Sequence, residues 1–365
     1  MKVGILGGGQ LGSMLALAGY PLGLRFRFLE PLRPASVDGL GEVVRASYDD
    51  LPSVRRFAQG LDVVTYEFEN VPDTTARLLE ELLPVYPAAV ALRTAQDRLA
   101  EKRAFASLGI PTPAFHPVDS RPALEEAIGR VALPAVLKTR RFGYDGKGQV
   151  VIESPARVDA AWEALRGGPE QPLLLESFVP FTRELSIVGV RSHAGEVAFY
   201  PLVENEHRGG ILYLTQAPAP VVTDALAVRA QEYLRALMEA MGYVGVLALE
   251  LFQKGHELLA NEMAPRVHNS GHWTQDGART SQFENHLRAV CGLPLGSTES
   301  LGYAGMVNLI GRLPAIDALL RIPGVRLHLY DKDPRPGRKL GHVNVLADDP
   351  TVVRATLERV DALLR

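Results

Sequence analysis

The chain has 365 residues, and its 39 Lys and Arg against 42 Asp and Glu give a formal net charge of −3. Apolar residues make up 47% and charged residues 22%, which is typical of a globular protein of two or three domains and excludes intrinsic disorder. A near-neutral balance without long runs of like charge argues against nucleic-acid and membrane-surface binding.

The first elements alternate between strand and helix. A glycine cluster follows residues 3–6, where a signal peptide would need its apolar core, and no apolar stretch approaches the roughly 18 residues of a membrane span, so we expect a cytoplasmic protein. Strands are predicted at 3–6, 25–30 and 62–66, with helices at 13–18 and 75–83. This order predicts a parallel sheet covered by helices, in a unit that ends near residue 100.

A glycine pattern lies between the first strand and the first helix. Gly7, Gly9 and Gly12 have the spacing of a dinucleotide-binding turn, and Glu30 ends the next strand. Glycines there let a phosphate approach the backbone at a helix N-terminus. The pattern is equally compatible with a tight turn that binds no dinucleotide, and both interpretations stay open.

The middle of the chain has a β-rich pattern. Strands are predicted at 135–138, 149–152 and 173–176, and the first two are joined by a glycine-bearing loop without a helix. The loop runs from Gly143 to Gly148, with Lys138 before it and Lys147 within it. Exposed amides and two cations favour a flap that closes over a triphosphate, although an ordinary hairpin turn would have similar glycines.

Further β-rich segments at 183–190 and 196–203 precede an amphipathic helix around 230–241 and then a hairpin at 246–252 and 257–262. If 254–258 turn the chain, Glu250 faces Glu262 with Cβ atoms about 4.5–5.5 Å apart. Like charges among apolar neighbours are unfavourable unless a cation lies between them. The pair therefore predicts a Mg²⁺ site shared with substrate phosphates; two solvated edge glutamates are the alternative.

Two segments near the end of the chain carry polar residues. His268 and His272 have a spacing that zinc sites use, but Asn269, Ser270 and Gly271 make a poor helix, so a loop-borne site for a small substrate fits better. Cys291 is the only cysteine in the sequence; no intrachain disulfide can form, and we expect a small buried hydrophobe. On spacing alone, Lys332, Arg338 and Lys339 predict a solvated basic loop.

Together, residues 7–12, 65–71, 143–149, 261–274, 330–332 and 335–339 resemble signatures of the ATP-grasp superfamily, and within it of the ligases that carboxylate 5-aminoimidazole ribonucleotide in purine biosynthesis. The resemblance covers nearly the whole chain. It implies an α/β (α+β overall) ATP-grasp fold with a Rossmann-like parallel-sheet domain at 1–100, a small β-rich lid at 101–175 and a C-terminal ATP-grasp domain at 176–365. It also implies a homodimer.

The resemblance implies a reaction of 5-aminoimidazole ribonucleotide with bicarbonate, in which ATP is converted to ADP and phosphate through carboxyphosphate. Mg²⁺ is the implied metal, and a second divalent ion is left open. A formate-using glycinamide ribonucleotide ligase of the same fold, an NAD-dependent oxidoreductase and a non-catalytic nucleotide sensor are the competing hypotheses. The 265–274 segment argues against the first, and the paired glutamates argue against the other two.

The resemblance also implies residue roles. The ATP-binding residues are Arg98, Lys138, Gly143, Tyr144, Asp145, Gly146, Lys147, Gly148, Gln149, Glu176, Ser177, Phe178, Val179, Glu184, His207, Asn261 and Glu262. The substrate-binding residues are Gln10, Glu69, Tyr144, Asp145, Lys147, Asn269, Lys332 and Arg338. The catalytic candidates are Tyr144, Asp145, Lys147, His268 and His272, and the metal ligands are Glu250 and Glu262. Placing Lys332 and Arg338 on the substrate phosphate replaces the solvated-loop interpretation. At the position of Lys147 some relatives have Arg, which could make a bidentate contact that Lys does not.

Overall fold

The structure is a computed structural model that describes residues 1–143 and 146–364. The roles predicted for Tyr144 and Asp145 therefore lie outside the described residues. Three sheets organise the described chain, and each belongs to a different stretch of sequence. Short 3-10 turns at Tyr20–Leu22, Pro155–Arg157 and Asn269–Gly271 connect some of the elements.

The N-terminal unit is a parallel sheet in the strand order β3-β2-β1-β4. Its elements are β1 (Lys2–Leu6), α1 (Gln10–Gly19), β2 (Arg25–Leu29), β3 (Glu42–Val44), α2 (Leu51–Ala58), β4 (Val63–Tyr66), α3 (Asp73–Leu82) and α4 (Ala89–Gln96). Ile5 packs into one hydrophobic cluster and Leu6 into another, because helices cover both faces of the sheet. The predicted parallel sheet is confirmed.

The middle unit is an antiparallel sheet in the order β5-β8-β6-β7. Its elements are α5 (Arg98–Ser107), β5 (Phe115–Val118), α6 (Arg121–Val131), β6 (Ala135–Thr139), β7 (Gln149–Ile152), α7 (Val158–Leu165) and β8 (Leu173–Ser177). Leu137 and Leu175 pack with the helices, so the alternation of a strand turns Lys138 and Glu176 to the opposite face. That face looks onto the third unit.

The third unit is a larger sheet in the order β14-β13-β9-β11-β12-β15-β17-β16, with β10 beside β9. Its elements are β9 (Arg183–Arg191), β10 (Val197–Phe199), β11 (Val203–Arg208), β12 (Ile211–Ala217), α8 (Asp224–Ala240), β13 (Gly245–Lys254), β14 (Glu257–Ala264), α9 (Thr274–Gly277), α10 (Gln282–Val290), β15 (Tyr303–Ile310), α11 (Ile316–Leu320), β16 (Val325–Leu329), β17 (Lys339–Ala347) and α12 (Pro350–Leu364). The β-rich segment at 196–203 is divided between β10 and β11, and Pro201, which has no N–H, lies between the two strands.

One hydrophobic cluster joins the first and third units. Leu15 of α1 and Leu287 of α10 both belong to it and are fully buried. At Gly19 an added Cβ would lie only 2.8 Å from Leu287, so a glycine permits this close approach of the two helices. Cys291 is partly buried and packs against the same cluster, so it is less enclosed than expected.

The predicted domain boundaries at residues 100 and 175 stay a prediction, and β8 runs across the second of them. Within residues 1–143 and 146–364, we find no helix with both the length and the apolar character that crossing a membrane requires.

Candidate active site

A cavity of about 1140 Å³ lies where the three units meet. The predicted site residues that line it are Gln10, Glu69, Arg98, Lys138, Gly143, Gly146, Lys147, Gln149, Glu176, Ser177, Phe178, Val179, Glu184, His207, Glu250, Asn261, Glu262, His268, Asn269, His272, Lys332 and Arg338. Gly148 is not among the lining residues. It supports the loop from behind, since its φ is +74° and its carbonyl accepts a hydrogen bond from the Thr139 N–H at 2.8 Å.

The glycine turn after β1 is already filled by carboxylates of this chain. The N–H of Gly8 donates to Glu30 at 2.8 Å, and those of Gly9 and Gly12 donate to the two oxygens of Glu67. These are the amides that would hold a dinucleotide phosphate, which would have to displace the carboxyl groups of Glu30 and Glu67. The dinucleotide interpretation is therefore wrong. The sequence analysis missed Glu67, although an acidic residue directly after β4 was a visible signal.

Two lysines converge on one buried carboxylate at the lid face. The Nζ atoms of Lys138 and Lys102 lie 2.9 and 3.5 Å from Oε2 of Glu176. Burial disfavours the carboxylate, but the two cations hold the pKa of Glu176 below its usual range. Oε1 of Glu176 is buried without a hydrogen-bond partner. The sequence analysis missed Lys102, which lies on α5 and has no motif around it.

The hairpin of β13 and β14 departs from the predicted register. Leu249 pairs with Met263 as predicted, but the turn is tighter, so Lys254 pairs with Glu257 and Leu251 with Ala260. A bulge between Leu249 and Leu251 absorbs the difference, as bulges beside active sites often do. The predicted uniform register is thus wrong beyond Leu249. Glu250 and Glu262 both line the cavity.

The pKa values of the two glutamates are shifted in opposite directions. Burial and the neighbouring Glu262 raise the pKa of Glu250 to about 7. Burial acts in the same direction on Glu262, but Arg98, whose Nη1 lies 2.8 Å away, helps hold its pKa below the usual range. Oδ1 of Asn261, the next residue along β14, is buried and has no partner. Two carboxylates and an orphan amide oxygen fit a hard divalent cation.

The segment after β14 carries the histidines. His268 places Nε2 3.4 Å from Oε1 of Glu250 and Nδ1 2.9 Å from the Ser270 hydroxyl. Burial lowers the pKa of His268 and His272 well below 6.5, so both rings are neutral. Outside residues 144, 145 and 365, no group of three or more His, Cys, Asp or Glu side chains is placed to hold a metal ion.

Neighbouring contacts fix other predicted residues. Glu69 forms an ion pair with Arg266, in which Oε1 lies 2.6 Å from Nη2. Oε2 of Glu184 lies 2.8 Å from Nδ1 of His207. The Asn269 amide exchanges two hydrogen bonds with Asn308 at 3.2 and 2.7 Å. Arg266 was missed by the sequence analysis, although it lies inside the most distinctive segment.

The basic loop between β16 and β17 faces the cavity. Lys332 contacts Oε1 of Gln10, and partial burial lowers its pKa to about 8. Arg338 also lines the cavity and donates to the Asp333 carbonyl at 3.1 Å. For Lys332 and Arg338 the solvated-loop interpretation drawn from spacing alone does not hold, because both are half-buried and line the cavity, whereas residues 333–337 of the loop are exposed.

A parallel-sheet unit, a glycine-loop lid and a sheet with paired glutamates, set around one cavity, define an ATP-grasp enzyme. Family models agree: an ATP-grasp domain matches residues 103–283, a ribonucleotide synthetase preATP-grasp domain matches 1–96, and a phosphoribosylaminoimidazole carboxylase C-terminal domain matches 304–356. The ATP-grasp fold expected from the sequence is confirmed.

The relatives are more specific. The chain is 50% identical over 364 residues to the N5-carboxyaminoimidazole ribonucleotide synthase of Pseudomonas aeruginosa, covering 100% of this chain and 99% of the relative. The crystal structure of N5-carboxyaminoimidazole ribonucleotide synthetase from Thermus thermophilus has a TM-score of 0.95 and 57% identity, with 99% and 98% coverage. That of the Aspergillus clavatus enzyme in complex with ADP and 5-aminoimidazole ribonucleotide has a TM-score of 0.92 and 31% identity, with 100% and 99% coverage. The chain belongs to the N5-carboxyaminoimidazole ribonucleotide synthase family.

Proposed function

We propose that the protein is an ATP-dependent carbon–nitrogen ligase that carboxylates 5-aminoimidazole ribonucleotide with bicarbonate. The products are N5-carboxyaminoimidazole ribonucleotide, ADP and phosphate, in purine biosynthesis. The observation that carries this proposal is the single cavity shared by a glycine loop with Lys138, the paired glutamates and the basic loop. The relative that binds ADP and 5-aminoimidazole ribonucleotide together supports it.

ATP occupies the lid side of the cavity in this proposal. Arg98, Lys138 and the 143–149 loop bind its phosphates, since fixed cations and exposed amides suit phosphate oxygens. The unpartnered Oε1 of Glu176 is an acceptor for the adenine amino group, with Ser177, Phe178 and Val179 alongside. Glu184, held by His207, accepts from the ribose hydroxyls.

Glu250 and Glu262 would hold Mg²⁺, with the orphan amide oxygen of Asn261 next to them. The ion would neutralise charge on the phosphates during transfer. A bound cation would also lower the pKa of Glu250 from its raised value, because it replaces the repulsion of Glu262 by attraction. A second divalent ion beside these carboxylates stays a prediction.

The reaction takes place, in this proposal, beside the histidine segment that follows β14. A bicarbonate oxygen attacks the γ-phosphorus of ATP, the bond to ADP breaks, and carboxyphosphate forms. The exocyclic amine then takes the carboxyl group, phosphate leaves, and the amine proton passes to it. Neutral His268 and His272 and the cation of Arg266 lie where they can orient bicarbonate and its carboxyl group. Enclosure would protect the labile intermediate from water.

The nucleotide substrate would lie between the N-terminal unit and the basic loop. Lys332 and Arg338 bind its phosphate, and Gln10, Glu69 and Asn269 contact the rest of the molecule. Tyr144, Asp145 and Lys147 remain the proposed lid contacts to substrate and transferred group. A homodimer remains part of the proposal because the family resemblance implies it.

The test is ADP release with Mg²⁺-ATP and bicarbonate, with and without freshly made 5-aminoimidazole ribonucleotide. Release that requires the ribonucleotide is expected. Release without it would refute the assignment of the acceptor, and ATP binding with no release would favour a nucleotide sensor. Replacing bicarbonate by formate and the acceptor by glycinamide ribonucleotide should abolish release, because the 265–274 segment argues against that ligase.

A further inference from the structure

Gln282, the first residue of α10, is fully buried and holds the histidine segment from behind the cavity wall. Its Oε1 accepts the backbone N–H of His268 at 2.9 Å, and its Nε2 donates to the carbonyl of the same residue at 2.7 Å. The same Nε2 lies 3.2 Å from Nδ1 of His272. One amide therefore contacts both histidines.

These contacts fix which way the amide points. A backbone N–H can only donate and a carbonyl can only accept, so the atom facing the His268 N–H is the oxygen and the atom facing its carbonyl is the NH₂ group. The second hydrogen of that NH₂ group points to the ring of His272. Because an amide NH₂ only donates, Nδ1 of His272 must present a lone pair. The proton of the neutral ring is then on Nε2.

The segment is built to keep this contact. At Gly271 an added Cβ would lie 2.5 Å from Oε1 of Gln282, so a side chain there would displace the amide. Thr274 Oγ1 accepts the backbone N–H of Gln282 at 3.0 Å and donates to the Gly271 carbonyl at 2.6 Å. The segment and the first turn of α10 are thereby locked to each other.

We propose that Gln282 is a positioning residue that holds the His268–His272 segment and fixes His272 as the Nε2-protonated tautomer, so that His272 offers a hydrogen-bond donor to the anionic carboxyl group in the cavity. An imidazole with its proton on Nδ1 would present a lone pair to that anion instead. The inference rests on the proposed function for its ligand. The tautomer follows from the contacts of Gln282.

Asn285, one turn further along α10, is a matched control. It is also fully buried, and its Oδ1 accepts the N–H of Gly296 at 2.8 Å while its Nδ2 donates to the Gly296 carbonyl at 3.2 Å. Its remaining contact is the Tyr200 hydroxyl at 2.9 Å, away from the histidines. Asn285→Asp therefore places a carboxylate in the same helix with the same kind of backbone contact, but without an imidazole.

The first measurement is nitrogen NMR of wild-type protein labelled at its nine histidines, with His272 assigned by the loss of its signals in His272→Asn. A proton on Nε2 is expected, and a proton on Nδ1 would overturn the proposal. In Gln282→Glu the carboxylate can only accept, so the proton should move to Nδ1 of His272. This wild-type spectrum decides the tautomer even if Gln282→Glu fails to fold.

Kinetics provide the second measurement. Gln282→Glu should lower kcat about 10- to 100-fold, as loss of the partner that orients a functional histidine commonly does, with KM for ATP near the wild-type value. Asn285→Asp should keep kcat within about twofold. Equal loss in both variants, or an unchanged tautomer in Gln282→Glu, would overturn the positioning role. Wild-type protein without ribonucleotide-dependent ADP release would instead refute the proposed function, and the spectrum would still report the tautomer.

Discussion

Replacing Glu262 by Gln should abolish ATP turnover and leave the fold intact. Its side chain is 40% exposed to the cavity and its partner Arg98 is 15% exposed, and such an ion pair contributes about 1 kcal/mol or less. Gln can still accept a hydrogen bond from Arg98. The free energy of unfolding should therefore fall by no more than about 1 kcal/mol, which shifts Tm by roughly 2–4 °C.

ATP turnover should respond more strongly than stability. Glu262→Gln removes one of the two paired carboxylates at the place where negative charge moves between oxygen atoms during phosphoryl transfer. We expect kcat to fall by at least about 100-fold. The assay pairs ADP release in the presence of ribonucleotide with a thermal melt. Glu257→Gln is the control, since Glu257 is exposed at the other end of the same strand and lies outside the cavity lining. A Tm loss above about 8 °C, or near-wild-type turnover, would refute this division of roles.

Two further predictions concern single side chains. Lys332→Met should raise KM for the ribonucleotide about 10-fold or more, because one charge-assisted contact to the substrate phosphate is lost, while KM for ATP stays constant. An equal rise in both KM values would contradict the placement of the substrate phosphate. Burial raises the pKa of Cys291 to about 11. Alkylation of this thiol at pH 8, followed by mass spectrometry, should therefore be about 10-fold slower than that of a free thiol. The rate should increase as the pH rises towards 11. Fast labelling at pH 8 in folded protein would contradict this burial.

Local pattern predicted the elements that carry the site. Short continuous apolar runs predicted β1, β4, β6 and β8, and period-two alternation predicted β2. The 3.6-residue period predicted α8, whose Ala230, Leu234 and Met238 are fully buried. The hairpin argument brought Glu250 and Glu262 together because both lie on adjacent strands with a short turn. It predicted the wrong register near the turn. The apolar pattern fits both a longer turn with uniform pairing and a tight turn at Gly255 and His256 with a compensating bulge, so it does not distinguish the two.

The contacts that the sequence analysis missed join residues that are far apart in the sequence. Glu67 is 55 residues from Gly12 in sequence, and its side chain decides that the glycine turn holds a carboxylate instead of a dinucleotide phosphate. Lys102 reaches Asn261, 159 positions away, and Lys332 reaches Gln10, 322 positions away. Such contacts leave no periodic trace, because each partner is a single polar residue on an otherwise ordinary element.

The sequence by itself determined the α/β architecture, the lid loop and the identity of the paired glutamates, because alternation, glycine spacing and hairpin geometry are local properties of the chain. Tertiary structure decided what those motifs do. It filled the glycine turn with Glu67, turned the basic loop into the cavity and set Gln282 behind His272. Each of these outcomes depends on which units pack together, and packing brings unlike, distant residues within hydrogen-bond distance.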